Sequence, residues 1–70
     1  MPIVLAPTNQ ELTIVKVLCD EKTKKHLESL GITINQKIEV ISSNGGNVIV
    51  KVKDGRLALN RDIASKILVA

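Results

Sequence analysis

Five side chains in the first half of the chain have the chemistry of metal ligands or of acid and base groups. They are Cys19, Asp20, Glu21, His26 and Glu28. Thiolate, imidazole and carboxylate groups all bind transition metals. The sequence contains no second cysteine or histidine, and a helix starting at Glu21 would place His26 where it can face away from Cys19. We therefore predict no metal site, a small buried thiol at Cys19 and a surface histidine. Direct metal binding remains the alternative.

Nucleophilic catalysis would require Cys19 or a serine beside His26, a third group to orient the base, and a pocket that excludes water. A chain of 70 residues offers no evident cleft of that kind. The serines fit turns more simply, namely Ser42, Ser43 and Ser65. The segment Asn44-Gly45-Gly46-Asn47 lacks the lysine and the following helix of a phosphate-binding loop. We predict that the protein is not an enzyme and uses no cofactor.

The densest group of basic residues is Lys22, Lys24 and Lys25. Such a cluster can meet phosphate groups or an acidic protein surface, or it can be a solvated helix face. The net charge is only +3, and the chain has no Phe, Tyr or Trp on which nucleic-acid bases could stack. We therefore predict no nucleic-acid partner.

The composition indicates one small domain over residues 1–70, because 44% of the residues are hydrophobic and most of these are Val, Ile and Leu. A single cysteine cannot form an internal disulfide, which favours a cytoplasmic location. No apolar run approaches the roughly 18 residues of a membrane span, and the segment from Met1 to Pro7 does not resemble a signal peptide. Any contact with a membrane is expected to be indirect.

The elements that position these residues are mostly strands. A short opening strand is predicted at residues 3–5, and a longer one at residues 11–19. Alternation in the second strand would place Lys16 on the apolar face, so we expect a bulge or bend that returns Val17 and Cys19 inward.

One helix is predicted over residues 21–30. Asp20 is a suitable N-cap, and Gly31 supplies a left-handed stop. The apolar stripe is narrow, comprising Thr23, Leu27 and Leu30. This pattern is typical of a helix that lies across the surface of a small barrel and covers its core.

Strands in the second half are predicted at residues 37–42, 47–53, 56–59 and 66–69. The turns between them are Ser43-Asn44-Gly45-Gly46 and Asp54-Gly55, and Asn60 caps a single helical turn at residues 61–64. The inward side chains of the clearest strand are Val48, Val50 and Val52, with Lys51 and Lys53 outward. The predicted fold is mainly β, a small SH3-like barrel of about five short strands with one short surface helix.

This alternation leaves aliphatic side chains outside the barrel. Ile49 is expected to face outward, as are Val15, Ile41 and Leu68. Contiguous exposed aliphatic residues require cover, which a docked protein or a second copy of the chain could supply. The candidate partner-binding residues are Lys22, Lys25, Ile41 and Ile49.

Four segments together resemble one protein family. They are His26-Leu27-Glu28-Ser29-Leu30-Gly31-Ile32, Lys37-Ile38-Glu39-Val40, Asp54-Gly55-Arg56-Leu57-Ala58-Leu59 and Ala64-Ser65-Lys66-Ile67-Leu68-Val69. In this order and spacing, the chain resembles ferrous iron transport protein A over nearly its whole length. The core positions that such a barrel would use are Leu27, Leu30, Ile38, Val40, Leu57, Leu59, Ala64, Ile67 and Val69. The family often has glycine near Asn9, Asn35 and Asn60, and asparagine also tolerates left-handed backbone.

The resemblance implies a non-catalytic cytoplasmic accessory of bacterial ferrous iron uptake that docks on the cytosolic GTP-binding region of the ferrous iron permease. The membrane would be reached only through that permease. One alternative is an iron sensor or carrier that uses Cys19 and His26. Another is a free-standing barrel similar to the regulatory domain of metal-dependent repressors, which predicts homo-oligomers or binding to another metal-responsive chain.

Overall fold

Five antiparallel strands form one sheet in the computed structural model, which describes residues 1–53 and 55–70. The strands are β1 (Glu11–Val17), β2 (Lys37–Ser43), β3 (Asn47–Val52), β4 (Gly55–Asn60) and β5 (Ile67–Val69). Their order across the sheet is β4-β3-β2-β1-β5. The helices are α1 (Glu21–Ser29), α2 (Arg61–Ala64) and a 3₁₀ helix (Ile3–Leu5). The prediction of a mainly β fold with one surface helix and a single capped turn is confirmed.

The core lies on the inner face of the sheet, to which all five strands contribute buried side chains. Val50 of β3 pairs with Val40 of β2, and Val48 pairs with Leu59 of β4. These side chains are all buried, as alternation predicts. Because every second residue of β3 is a valine, the inward positions Val48 and Val50 each pair with an aliphatic residue on at least one neighbouring strand.

Two bulges bend the sheet. The register of β1 against β5 shifts between Ile14 and Lys16, so Val15 is an extra residue that stands 46% exposed. The bend predicted around Lys16 is confirmed, since Val17 returns to the core. A second shift, between Val40 and Ser42, was not predicted. Bulges increase local twist, which allows a five-stranded sheet to curve around its own core.

α1 has a defined beginning and end. The Thr23 backbone N–H donates a hydrogen bond to Asp20 Oδ1 (2.9 Å), as the predicted N-cap requires. At the other end, the N–H of Ile32 donates to the Leu27 carbonyl (2.9 Å), and Gly31 adopts a φ of 93°. This Schellman motif turns Ile32 back onto Leu27, so both are buried. The prediction that Leu30 belongs to the core is wrong, because the chain reverses immediately after it and Ile32 fills that space.

The opening segment is a 3₁₀ helix and not the predicted strand. The N–H of Leu5 donates to the Pro2 carbonyl (3.0 Å), and the N–H of Ala6 donates to the Ile3 carbonyl (3.0 Å). Three consecutive apolar residues carry no period, so their sequence does not distinguish a strand from a turn. The turn buries Ile3 against the core and leaves Leu5 70% exposed.

Three asparagines occupy positions where the resemblance places glycine. Asn9 and Asn35 have left-handed backbones, with φ of 60° and 74°. Asn60 is extended, and its Oδ1 accepts a hydrogen bond from the N–H of Ile63 (2.8 Å), which confirms the predicted cap of α2. The predicted turn at Asp54-Gly55 falls on Asp54, which lies outside the described residues.

Candidate functional site

α1 is attached to the barrel by a single buried side chain, Leu27. Lys22 and Lys25 are exposed, and Lys24 is half-buried. Because the helix contributes so little to the core, most of its surface faces solvent, and its exposed charges are two lysines, Lys22 and Lys25, and two acids, Glu21 and Glu28. This placement agrees with the narrow apolar stripe in the sequence.

Exposed aliphatic residues lie at both ends of this helix. Leu18, which precedes α1, is 51% exposed, and Leu30, which follows it, is 36% exposed. Ile34, in the next loop, is 45% exposed and lines a shallow depression together with Lys24 and Glu28 of the helix. We define the α1 surface as Leu18, Lys22, Lys25, Leu30 and Ile34. The sequence does not single out Leu18 or Ile34 as candidate binding residues. Leu18 falls in a predicted strand that the structure ends at Val17, and Ile34 lies in a loop, to which no strand or helix period assigns a face.

The other two candidate binding residues lie on the sheet. Ile49 of β3 points away from Val48 and Val50, and it pairs with Ser42 beside the bulged Ile41. Both isoleucines are half-buried and not fully exposed. The structure therefore divides the four predicted residues into two groups, with Lys22 and Lys25 on α1 and Ile41 and Ile49 on the outer face of β2 and β3. A binding role for each of them stays a prediction.

The same outer face carries a row of four charged residues, which we call the charged row. Glu11 pairs with Glu39, Glu39 pairs with Lys51, and Lys51 pairs with Arg56. The row crosses β1, β2, β3 and β4 in register, with both acids on one half and both bases on the other. Directly paired residues of neighbouring strands point to the same side of a sheet, so the four side chains share one face.

The electrostatics at the start of α1 are set by Asp20. Hydrogen bonding from Thr23, first through its side chain and then through its backbone N–H, lowers the pKa of Asp20, and attraction to Lys66 adds a smaller contribution. The carboxylate therefore stays ionised at the positive end of the helix. Lys66 itself forms an ion pair with Asp62 (Nζ to Oδ2, 3.5 Å).

The residues considered for metal binding are not gathered into a site in the described structure. Cys19 is half-buried against the core, and His26 is exposed on α1. Among residues 1–53 and 55–70, no three side chains of His, Cys, Asp or Glu come together as a ligand group. In the same part of the chain, no helix has the length and apolar character required to cross a membrane.

Comparison with known proteins identifies the family. The model of the FeoA domain matches residues 1–70. The chain belongs to the FeoA family. A relative in Methanocaldococcus jannaschii, provisionally named Fe(2+) transport protein A, is 32% identical over 68 residues, a match that covers 97% of this chain and 83% of the relative. The resemblance drawn from the four sequence segments is thus confirmed.

Solved FeoA structures share the fold. An iron uptake regulatory protein (FeoA) has a TM-score of 0.89 at 23% identity, covering 99% of this chain and 93% of its own. FeoA of Chlorobium tepidum has a TM-score of 0.89 at 20% identity, covering 99% and 68%. FeoA of Stenotrophomonas maltophilia, described as a prokaryotic SH3 domain protein and solved with zinc, has a TM-score of 0.81 at 20% identity, covering 100% and 89%. The predicted SH3-like barrel is confirmed.

Proposed function

We propose that this FeoA-family protein is a non-catalytic, cytoplasmic accessory of ferrous iron uptake that docks on the cytosolic GTP-binding region of the ferrous iron permease. Family membership, together with the name of the M. jannaschii relative, supports the setting in iron transport. The proposal that the protein docks on this partner rests on the α1 surface. Its exposed lysines lie on a helix that is anchored by one leucine, and exposed aliphatic side chains precede and follow that helix along the chain.

The composition of the α1 surface suits a protein partner with an acidic patch flanked by apolar residues. Leu18 and Ile34 would lose their water on contact, which supplies most of the favourable free energy. Lys22 and Lys25 would be attracted to carboxylates and would mainly accelerate and orient the encounter. Binding is therefore expected to weaken as salt concentration rises.

The docking is tested by amide NMR titration of the isotope-labelled chain with the cytosolic GTP-binding region, since the chain has no Trp or Tyr for fluorescence. We expect saturable shifts clustered between Leu18 and Ile34, with a dissociation constant below about 1 mM. The double variant K22E/K25E is expected to bind at least about tenfold more weakly, because it repels an acidic patch.

A matched control variant distinguishes docking through the α1 surface from docking through the sheet. The double variant K51E/K53E makes the same change of charge at exposed positions at the end of β3, and it should bind as the wild type does. Absence of shifts at concentrations well above about 1 mM, or equal weakening in both double variants, would contradict docking through α1. Far-ultraviolet circular dichroism would establish that each variant is folded.

A second candidate function is direct metal binding, as an iron sensor or carrier. The zinc complex of the S. maltophilia relative favours it, and the relevant side chains in this chain are Cys19 and His26. Anaerobic titration with Fe²⁺ should then reveal binding that the double variant C19A/H26A loses. Unchanged affinity in that variant would remove these two residues from any metal site.

A further inference from the structure

The charged row contains two repulsive pairs in one molecule. Glu11 stands directly opposite Glu39, and Lys51 stands directly opposite Arg56. Like charges at directly paired positions of neighbouring strands destabilise a sheet. In the part of the chain that the structure describes, the one ion pair joins Lys66 to Asp62, so none of these four side chains is engaged in one. The central pair, Glu39 with Lys51, is favourable within one molecule. The two outer pairs of the row are not, so Glu11 and Arg56 each stand opposite a like charge in the isolated chain.

We propose that the charged row is a two-fold interface between two copies of this chain. A two-fold axis that runs parallel to the strands, between β2 and β3, brings two outer faces together and exchanges the halves of the row. Glu39 then faces Lys51 of the second copy, and Glu11 faces Arg56. Every charge meets its opposite, which is the self-complementarity that a two-fold interface requires.

The same two-fold axis also brings apolar residues of the two copies into contact. Ile49 lies one strand from Ser42 and the bulged Ile41, so rotation about an axis between β2 and β3 places Ile49 of one copy opposite Ile41 of the other. Each of these side chains is half-buried in the single chain, and contact would remove their remaining surface from water. An apolar contact beside opposed charges has the composition of a protein interface.

A depression of about 310 Å³ lies beside the row and is lined by three of its four members, Glu11, Glu39 and Lys51. Its lining includes both carboxylates, Glu11 and Glu39. Lysines also line it, and one of them, Lys37, donates a hydrogen bond to Thr13 Oγ1 (2.8 Å). An arginine can bind a carboxylate through two parallel hydrogen bonds, and in the proposed dimer Arg56 of the second copy would reach Glu11 at the edge of this depression.

Sedimentation equilibrium of the purified chain over a range of concentrations tests the proposal. At low salt the wild type is expected to form a dimer, and added salt should weaken it. Arg56→Glu sets a carboxylate against Glu11 of the second copy, and Glu11→Arg sets two arginines against each other. Each variant alone should therefore dimerise at least about tenfold more weakly than the wild type.

An equimolar mixture of these two variants gives the decisive result. One copy then carries acids at positions 11 and 56, while the other carries arginines at both, so the proposed axis predicts that a heterodimer forms where neither variant forms a homodimer. Lys22→Glu and Glu28→Arg make similar changes of charge at exposed positions of α1, and both should dimerise as the wild type does.

Several outcomes would overturn the interface. They are a wild type that stays monomeric up to about 1 mM, dimerisation that is insensitive to Arg56→Glu, and a mixture that fails to restore association. If addition of the permease's GTP-binding region to the monomer shifted only the charged row, the row would belong to that partner and not to a second copy. Amide spectra of the variants establish that each one is folded.

Discussion

β3 and α1 differ in the share of their residues that they bury in the core. β3 lies between two strands and buries three of its six residues, Val48, Val50 and Val52, in the core. α1 has nine residues and buries only Leu27. The free energy of folding therefore resides mainly in the sheet, and most of the helix surface stays exposed to solvent. The two elements also differ outside the core, because strand register fixes the neighbours of each residue on β3, whereas the outer residues of α1 face solvent.

The largest effect is expected when a charge is introduced on the buried face of β3. Val50→Asp would bury an unpaired carboxylate where the valine is fully buried. A domain of this size has only about 3–5 kcal/mol of stability, so the variant should not fold. Ile49→Asp, at the adjacent outward position, should remain folded. Circular dichroism and amide spectra check both, and an unfolded Ile49→Asp would contradict the assignment of faces.

A smaller effect is expected when the helix loses its anchor. Leu27→Ala removes the single buried side chain of α1 and should lower the free energy required to detach the helix from the sheet by about 2–5 kcal/mol. Because the sheet keeps its own core, hydrogen exchange should accelerate most within Glu21–Ser29 and least in β3. Equal acceleration in both elements would mean that helix and sheet unfold together.

The N-cap of α2 contributes less to the stability of the fold than Leu27 does to the attachment of α1. Asn60→Ala removes the side-chain acceptor of the Ile63 N–H and should cost about 1 kcal/mol of stability, as judged by urea denaturation. Asn47→Ala, at the position paired with Asn60 on β3, is the control and should cost less. A larger loss in the control would show that strand pairing, and not the cap, is what Asn60 provides.

The smallest expected effect concerns Asp20 and pH. Its pKa is lowered in the folded chain from the ordinary value of 3.8, so the unfolded chain binds a proton more readily. The stabilisation is present above that value and is lost as pH falls through the lower, folded pKa. Asp20→Asn keeps a cap without the charge. Thermal midpoints of the two proteins should differ at neutral pH and converge in acid, whereas parallel midpoints would contradict the role of the charge.

Much of the sheet could be predicted from the sequence, because its signals are local. The alternation of Val48, Val50 and Val52 defines the buried face of β3, and Lys16 interrupts alternation where β1 bulges. The start of the chain could not be predicted in this way. Ile3 is buried by contacts with residues distant in sequence, and those contacts, not a local period, make its segment a 3₁₀ helix.

The candidate surfaces were predicted only in part for the same reason. Lys22 and Lys25 follow from a helical period, so their exposure was expected. The charged row was not recognised, because the pairing of Glu11 with Glu39 depends on strand register across the sheet. The second bulge had a weak signal, the adjacent apolar residues Val40 and Ile41, which strict alternation does not allow.

The pairing of β1 with β5 has a consequence for the rate of folding. Val17 pairs with Ile67 about 50 positions away along the chain, while β2, β3 and β4 are successive strands that pair with their neighbours. Closing a long loop costs entropy before any contact compensates for it, so the hairpins are expected to form first and the β1–β5 seam last. The barrel should consequently fold more slowly than a helical bundle of the same length, and formation of the β1–β5 pairing should be the rate-limiting step.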